Sequence, residues 1–136
     1  MTRGRKIFYG AWTALTVLLA LFGWVQTKRL EAVSTERDRL RAQTTAALLS
    51  EAQSILDEAA DQTGRLNLGN AQAGTGSAIS LLKAAERVAP PGTGPAIADR
   101  IKALEEIRSA LLQGDPGKTA SGDLKREASM LRELLK

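Results

Sequence analysis

No charged residue occurs between Ile7 and Val25. A helix rises about 1.5 Å per residue, so a run of this length spans close to the ~30 Å hydrocarbon core of a bilayer. Phe8, Tyr9, Trp12, Phe22 and Trp24 all lie inside it, and they are the only aromatic residues of the chain. Amphipathic rings favour the headgroup layer, where cationic side chains also collect. The pattern predicts one transmembrane helix over residues 7–25, behind a basic stub at residues 1–6 that carries Arg3, Arg5 and Lys6. Trp12, Trp24, Lys28 and Arg29 are the expected interface anchors.

A cleaved signal peptide has a similar layout, but its apolar region is usually about 7–15 residues and ends at small residues. Here the run closes with Phe22-Gly-Trp-Val-Gln-Thr-Lys-Arg29, and bulky Trp24 and Val25 offer no good cleavage site. An uncleaved anchor is the expectation. Basic residues flank both ends, so the charge rule alone does not orient the span. A short basic stub ahead of a first hydrophobic segment favours a cytoplasmic N-terminus. The expected location is therefore a bacterial inner membrane, crossed once, with the C-terminal part in the periplasm. Gly10 and Ala14 form a small-xxx-small step within the span, the kind of surface against which a second membrane helix packs closely.

Composition narrows the chemistry of the remainder. Residues 28–136 hold 16 Lys/Arg and 15 Asp/Glu, so the overall +4 charge belongs mostly to the N-terminal stub. Nucleic-acid binding wants clustered cations and aromatic stacking platforms, and neither is present there. The chain contains no Cys and no His, which removes thiol chemistry, imidazole catalysis and the commonest zinc and haem ligands. No cofactor, metal or nucleotide is expected, and catalysis is not.

The apolar spacing predicts an all-α fold. From Trp24 to Thr63 there is neither Gly nor Pro, so the membrane helix is expected to continue as a stalk over residues 26–63 and to stop at Gly64. Leu30, Val33, Arg37, Leu40, Thr44 and Ala47 fit a heptad seam, although Arg37 and Thr44 interrupt it. From Leu48 the apolar set shifts register to Leu48/Leu49, Ala52, Ile55/Leu56 and Ala59. Residues 64–76, rich in Gly and Asn, read as a connector, with Ser77 capping a helix over about 77–89. Ile79, Leu82 and Val88 are its expected buried face. Pro90-Pro-Gly-Thr-Gly94 breaks the chain ahead of a helix over about 95–113, where Ile97, Ile101, Leu104, Ile107 and Leu111 recur at helical spacing. Asp115-Pro-Gly117 is the next turn, and a last helix over about 119–135 presents Leu124, Ala128, Leu131 and Leu135. These short helices of residues 77–136 are expected to pack on the lower stalk as a small antiparallel bundle.

Other motifs fail on inspection. Pro90-Pro-Gly-Thr-Gly94 resembles part of the phosphate loop of AAA-type ATPases, but Pro95 and Ala96 stand where the Lys and the hydroxyl must be. Asp57, Glu58, Asp61, Glu105 and Glu106 fall away from the apolar stripes and read as a solvated surface, with Glu105 placed to pair with Arg108. The expectation for function is a non-catalytic, single-pass accessory or scaffold subunit of a larger bacterial membrane complex. Its partners are the bilayer and other membrane-protein subunits. The alternative is a cell-envelope stalk protein, of the division or phage-lysis type, that self-associates as a homo-oligomer.

Overall fold

The structure, a computed structural model, describes the backbone of residues 3–113 and 120–135, with side chains from residue 16 onward. Four helices and no strand occur among the described residues: α1 (Arg3–Gly64), α2 (Leu68–Val88), α3 (Gly94–Leu112) and α4 (Ala120–Leu134). The all-α expectation holds. The chain divides into two units, Met1–Arg39 and Leu40–Lys136. In the first, every described side chain is exposed.

The second unit is a four-helix bundle, and its core is aliphatic throughout. Leu49, Ala52, Leu56, Ala59 and Ala60 of α1 meet Ala78, Ile79, Leu82 and Ala85 of α2 in this core. Ile97, Ile101 and Leu104 of α3 and Leu124, Ala128 and Leu131 of α4 complete it. Ala71, Leu111 and Ala120 close one end. Neighbouring helices run antiparallel. Gly76 lies beside Arg108 while Lys83 pairs with Glu105, so positions rise along α2 as they fall along α3. Likewise Arg100 of α3 meets Glu127 of α4. The circle closes between α4 and α1, where the Ser121 hydroxyl donates to the Ala60 carbonyl at 2.9 Å and Lys125 pairs with Asp61.

Two predicted boundaries need correction. Residues 68–76 were expected to be connector, yet they form the first turns of α2. Asn67, not Ser77, caps that helix: its side chain accepts from the Asn70 N–H, and Ser77 instead donates its hydroxyl to the Ala73 carbonyl. The glycines here serve packing. A Cβ on Gly74 would stand 3.2 Å from the Ala59 Cβ, so α1 and α2 approach more closely here than two side chains usually do. Ala71, Thr75 and Ala78 line the same buried face, and the Thr75 hydroxyl is satisfied by the Ala71 carbonyl at 2.8 Å.

The second correction concerns the stop. Gly64 remains helical, and the left-handed residue is Leu66, at φ 61°. The Asn67 N–H reaches the Gln62 carbonyl at 2.9 Å and the Leu66 N–H reaches the Thr63 carbonyl at 3.0 Å. That pair of bonds is the Schellman closure, displaced two residues from the glycine that usually supplies it. Left-handed backbone costs an L-residue roughly 1–2 kcal/mol. The Asn67 amide also donates to the Gln62 side chain at 3.1 Å, which ties the turn from outside.

Elsewhere punctuation and structure agree closely. α3 begins at Gly94 with Pro95 in its first turn, after a bend in which Gly92 takes φ +97°. The sequence expectation for α4 differs by a residue at each end, and Thr119 lies outside the described residues. Val88, Ile107 and Leu135, expected in the core, are only half-buried.

The two interior glycines of α2 should respond in opposite ways, since both gain helix propensity but only one has space. A Cβ on Gly76 meets only the flexible guanidinium of Arg108, at 3.4 Å. We expect Gly76→Ala to stabilise the bundle by up to about 1 kcal/mol, and Gly74→Val to destabilise it by about 1–3 kcal/mol through overpacking. Urea unfolding followed by circular dichroism measures both.

Candidate docking surfaces

The most exposed apolar surface belongs to the first unit. Val17, Leu18, Leu19, Leu21, Phe22, Trp24 and Val25 are each between 43% and 65% exposed. At 3.6 residues per turn these positions cover about 220° of the helix circumference, broader than one stripe, and the small residues Ala20 and Gly23 take the remaining face. An apolar arc this broad exceeds the single stripe of an ordinary surface helix. The surface ends at a polar border. The Thr27 hydroxyl donates back to the Trp24 carbonyl at 2.8 Å and to the Gly23 carbonyl at 3.2 Å, so it asks nothing of its surroundings. Lys28 and Arg29 follow, with Lys28 paired to Glu31 at 3.4 Å.

Among the described residues, no helix is long and apolar enough to cross a membrane. The side chains of residues 7–15, which make up the first part of the uncharged run, lie outside that description. Gly10, Trp12 and Ala14 are therefore outside the described side chains, whereas Trp24, Lys28 and Arg29 are exposed.

A second, narrower surface follows along α1. Leu30, Val33 and Leu40 are each more than half exposed, and the other members of the heptad set, Arg37, Thr44 and Ala47, are exposed as well. Charged residues separate the apolar ones, so this is a one-sided row.

The bundle carries shallow relief. A groove of about 260 Å³ is bordered by Ala42, Ala46, Leu49, Pro90 and Leu135, and is largely apolar. Thr45 also borders it and is buried, and its hydroxyl has no partner among the described residues. The acidic residues Asp57, Glu58, Asp61, Glu105 and Glu106 are exposed, as their spacing predicts. Glu105 pairs across the hairpin with Lys83 at 2.8 Å, not along its own helix with Arg108 as expected, because antiparallel packing brings Lys83 nearer. No group of three or more acidic side chains among the described residues is placed to hold a metal ion.

One polar feature escaped the sequence reading. The Arg100 guanidinium donates to both carboxylate oxygens of Glu127, at 3.4 and 3.3 Å, and also contacts the Met130 sulfur. Glu127 is buried, with its side chain 10% exposed, while the Arg100 side chain is 27% exposed. The available signal was local: Glu127 falls at helical spacing within the Leu124–Ala128–Leu131 row, where an acid must have a partner. The pair is half-wet, so a fully buried ion-pair value does not apply. Removing one partner still strands a charge. We expect Glu127→Leu to cost about 2 kcal/mol, with the double change Arg100→Met/Glu127→Leu costing measurably less. Thermal unfolding of the four chains of this cycle decides it.

Neither a family model, nor a curated protein, nor a solved structure matches this chain.

Proposed function

We propose that the chain is a non-catalytic, single-pass membrane protein that uses its helical bundle as a docking module for other subunits of a membrane assembly. The observation that carries the anchoring half is the exposed apolar girdle from Val17 to Val25, bounded by Lys28 and Arg29. It continues an uncharged run that begins at Ile7. Leaving such a surface in water forfeits about 25 cal/mol for every Å² that a bilayer would cover. Trp24 then sits at the headgroup level beside the two cations, and Gly10 and Ala14 offer a close-packing step to a neighbouring helix.

The docking half is supported by what the bundle offers. Its surface is charged and mixed in sign, its grooves are shallow, and residues 28–136 hold neither Cys nor His. Binding by surface complementarity uses such a body; bond-making would need activated groups in a closed pocket. The proposed orientation keeps residues 1–6 in the cytoplasm and the bundle in the periplasm of a bacterial cell.

Alkaline carbonate extraction and vesicle flotation test the anchor. We expect the native chain to float with lipid, and Leu18→Asp/Leu21→Arg, at about 2.5–3.5 kcal/mol for a charge at mid-span, to shift it to the soluble fraction. A mature chain that begins near residue 28 and stays in the aqueous phase overturns the reading. For the docking half, mild-detergent purification after in-membrane cross-linking should retain partner subunits in fixed stoichiometry. Recovery of only an unbound 14.5 kDa monomer overturns it.

A further inference from the structure

We infer that the segment Leu30–Ala47 pairs with the same segment of a second copy of this chain, side by side and parallel, as a short two-stranded coiled coil. Counting Leu30 as position a places Arg37 and Thr44 at a, and Val33, Leu40 and Ala47 at d. Their exposure leaves the row uncovered within one chain. The choice of occupant comes from the flanking charges. The same count puts Glu36 at g and Arg41 at e. In a parallel pair, a g residue of one helix faces the e residue five places later on the other. Glu36 of each copy therefore meets Arg41 of the other, twice by symmetry.

Within one helix a five-residue separation is about 140° of rotation, so the two cannot meet. Neither Glu36 nor Arg41 has an ion-pair partner among the described residues. Arg37 and Arg41 stand four apart, a like-charge spacing that disfavours the lone helix. In the pair, Arg37 at a faces Arg37 of the second copy, with Glu36 of that copy beside it at g to offset the like charge. Thr44, the other polar a residue, spends its hydroxyl on the Leu40 carbonyl at 2.9 Å and so enters the seam satisfied. A charged a position weakens such a seam and fixes its register.

Two and a half heptads are too few to hold two free chains together. The inference therefore rests on the anchoring proposed above, which confines both helices to one bilayer in one orientation and raises their effective concentration.

The chain has no Cys, so each introduced thiol reports one position. Full-length Leu30→Cys, Val33→Cys and Leu40→Cys are compared with Asp38→Cys and Arg39→Cys under mild oxidation in native membranes. Seam positions bring paired backbones within the roughly 4.4–6.8 Å that a disulfide requires, and should form dimers about tenfold faster than the other two. In the Leu40→Cys background, Glu36→Arg or Arg41→Glu should slow dimer formation severalfold, and the two together should restore it. Rates that ignore heptad position, a preferential Leu30→Cys to Ala47→Cys disulfide in a mixed pair, or single-swap losses without rescue overturn the pairing. Flotation of the same membranes separates the two ideas. A chain that floats but cross-links without pattern refutes the pairing alone. A chain that fails to float refutes the anchor and, with it, the pairing that depends on the anchor.

Discussion

Residues beyond Trp24 contain no aromatic side chain, and the buried apolar core of the bundle consists of Leu, Ile and Ala. Large rings usually fill the space between helices that stand well apart. Without them the helices must come close, and the buried set shows how: Ala52, Ala59, Ala60, Ala71, Ala78, Ala85, Ala120 and Ala128 are all in the core. Gly74 against Ala59 is the tightest approach of this kind, where an added methyl would stand 3.2 Å from the Ala59 Cβ. Leu49, Leu56, Leu82, Leu104, Leu124 and Leu131 then interdigitate through the gaps that the alanines leave. Close approach is the condition on which the rest of the packing depends, because an aliphatic core this thin loses contact quickly when backbones separate.

The same economy explains the few buried polar groups. Thr63 and Thr75 fill volume that alanine would leave empty, and each returns its hydroxyl to a carbonyl four residues back, at 2.8 Å. Glu127 takes the same kind of position but carries a charge, which Arg100 meets from the neighbouring helix. Such a pair contributes little net stability against an apolar replacement of like volume, yet a mispaired bundle would leave the acid buried and alone.

How much was legible in the sequence depended on whether the controlling interaction was local. α3 and α4 were found to within a residue or so because Pro90-Pro-Gly and Asp115-Pro-Gly mark their ends, and a proline acts within its own turn. The start of α2 was missed because glycine was weighed by propensity, and its cost of about 1 kcal/mol per residue reads as a linker. The compensating term is a contact with Ala59, fifteen positions earlier, which no local window contains. A spacing signal did exist: Ala71, Thr75, Ala78, Leu82 and Ala85 continue one helical face straight through the glycines. Gly64 misled for the matching reason, since the left-handed residue is set by where the Gln62 and Thr63 carbonyls find donors. Of the candidate site residues, Trp24, Lys28 and Arg29 are exposed, whereas Gly10, Trp12 and Ala14 fall outside the described side chains.

The rows along α1 differ in what can cover them, and that difference orders the functional reasoning. From Leu49 to Thr63 the apolar row is one-sided, small and closed by three other helices of the same chain. From Val17 to Val25 it covers more than half of the circumference and is free of charge, which suits the lipid contact proposed for it. Between them, Leu30 to Ala47 is apolar on one side and charged on the other. Lipid would strand Arg37 and Glu36, and water would leave Leu30, Val33 and Leu40 uncovered. The second helix proposed above would meet both demands, since its apolar row covers the first and its Glu36 and Arg41 answer Arg41 and Glu36 in sign. The composition of this middle row thus supports the proposed protein partner, as that of the row before it supports the proposed lipid contact.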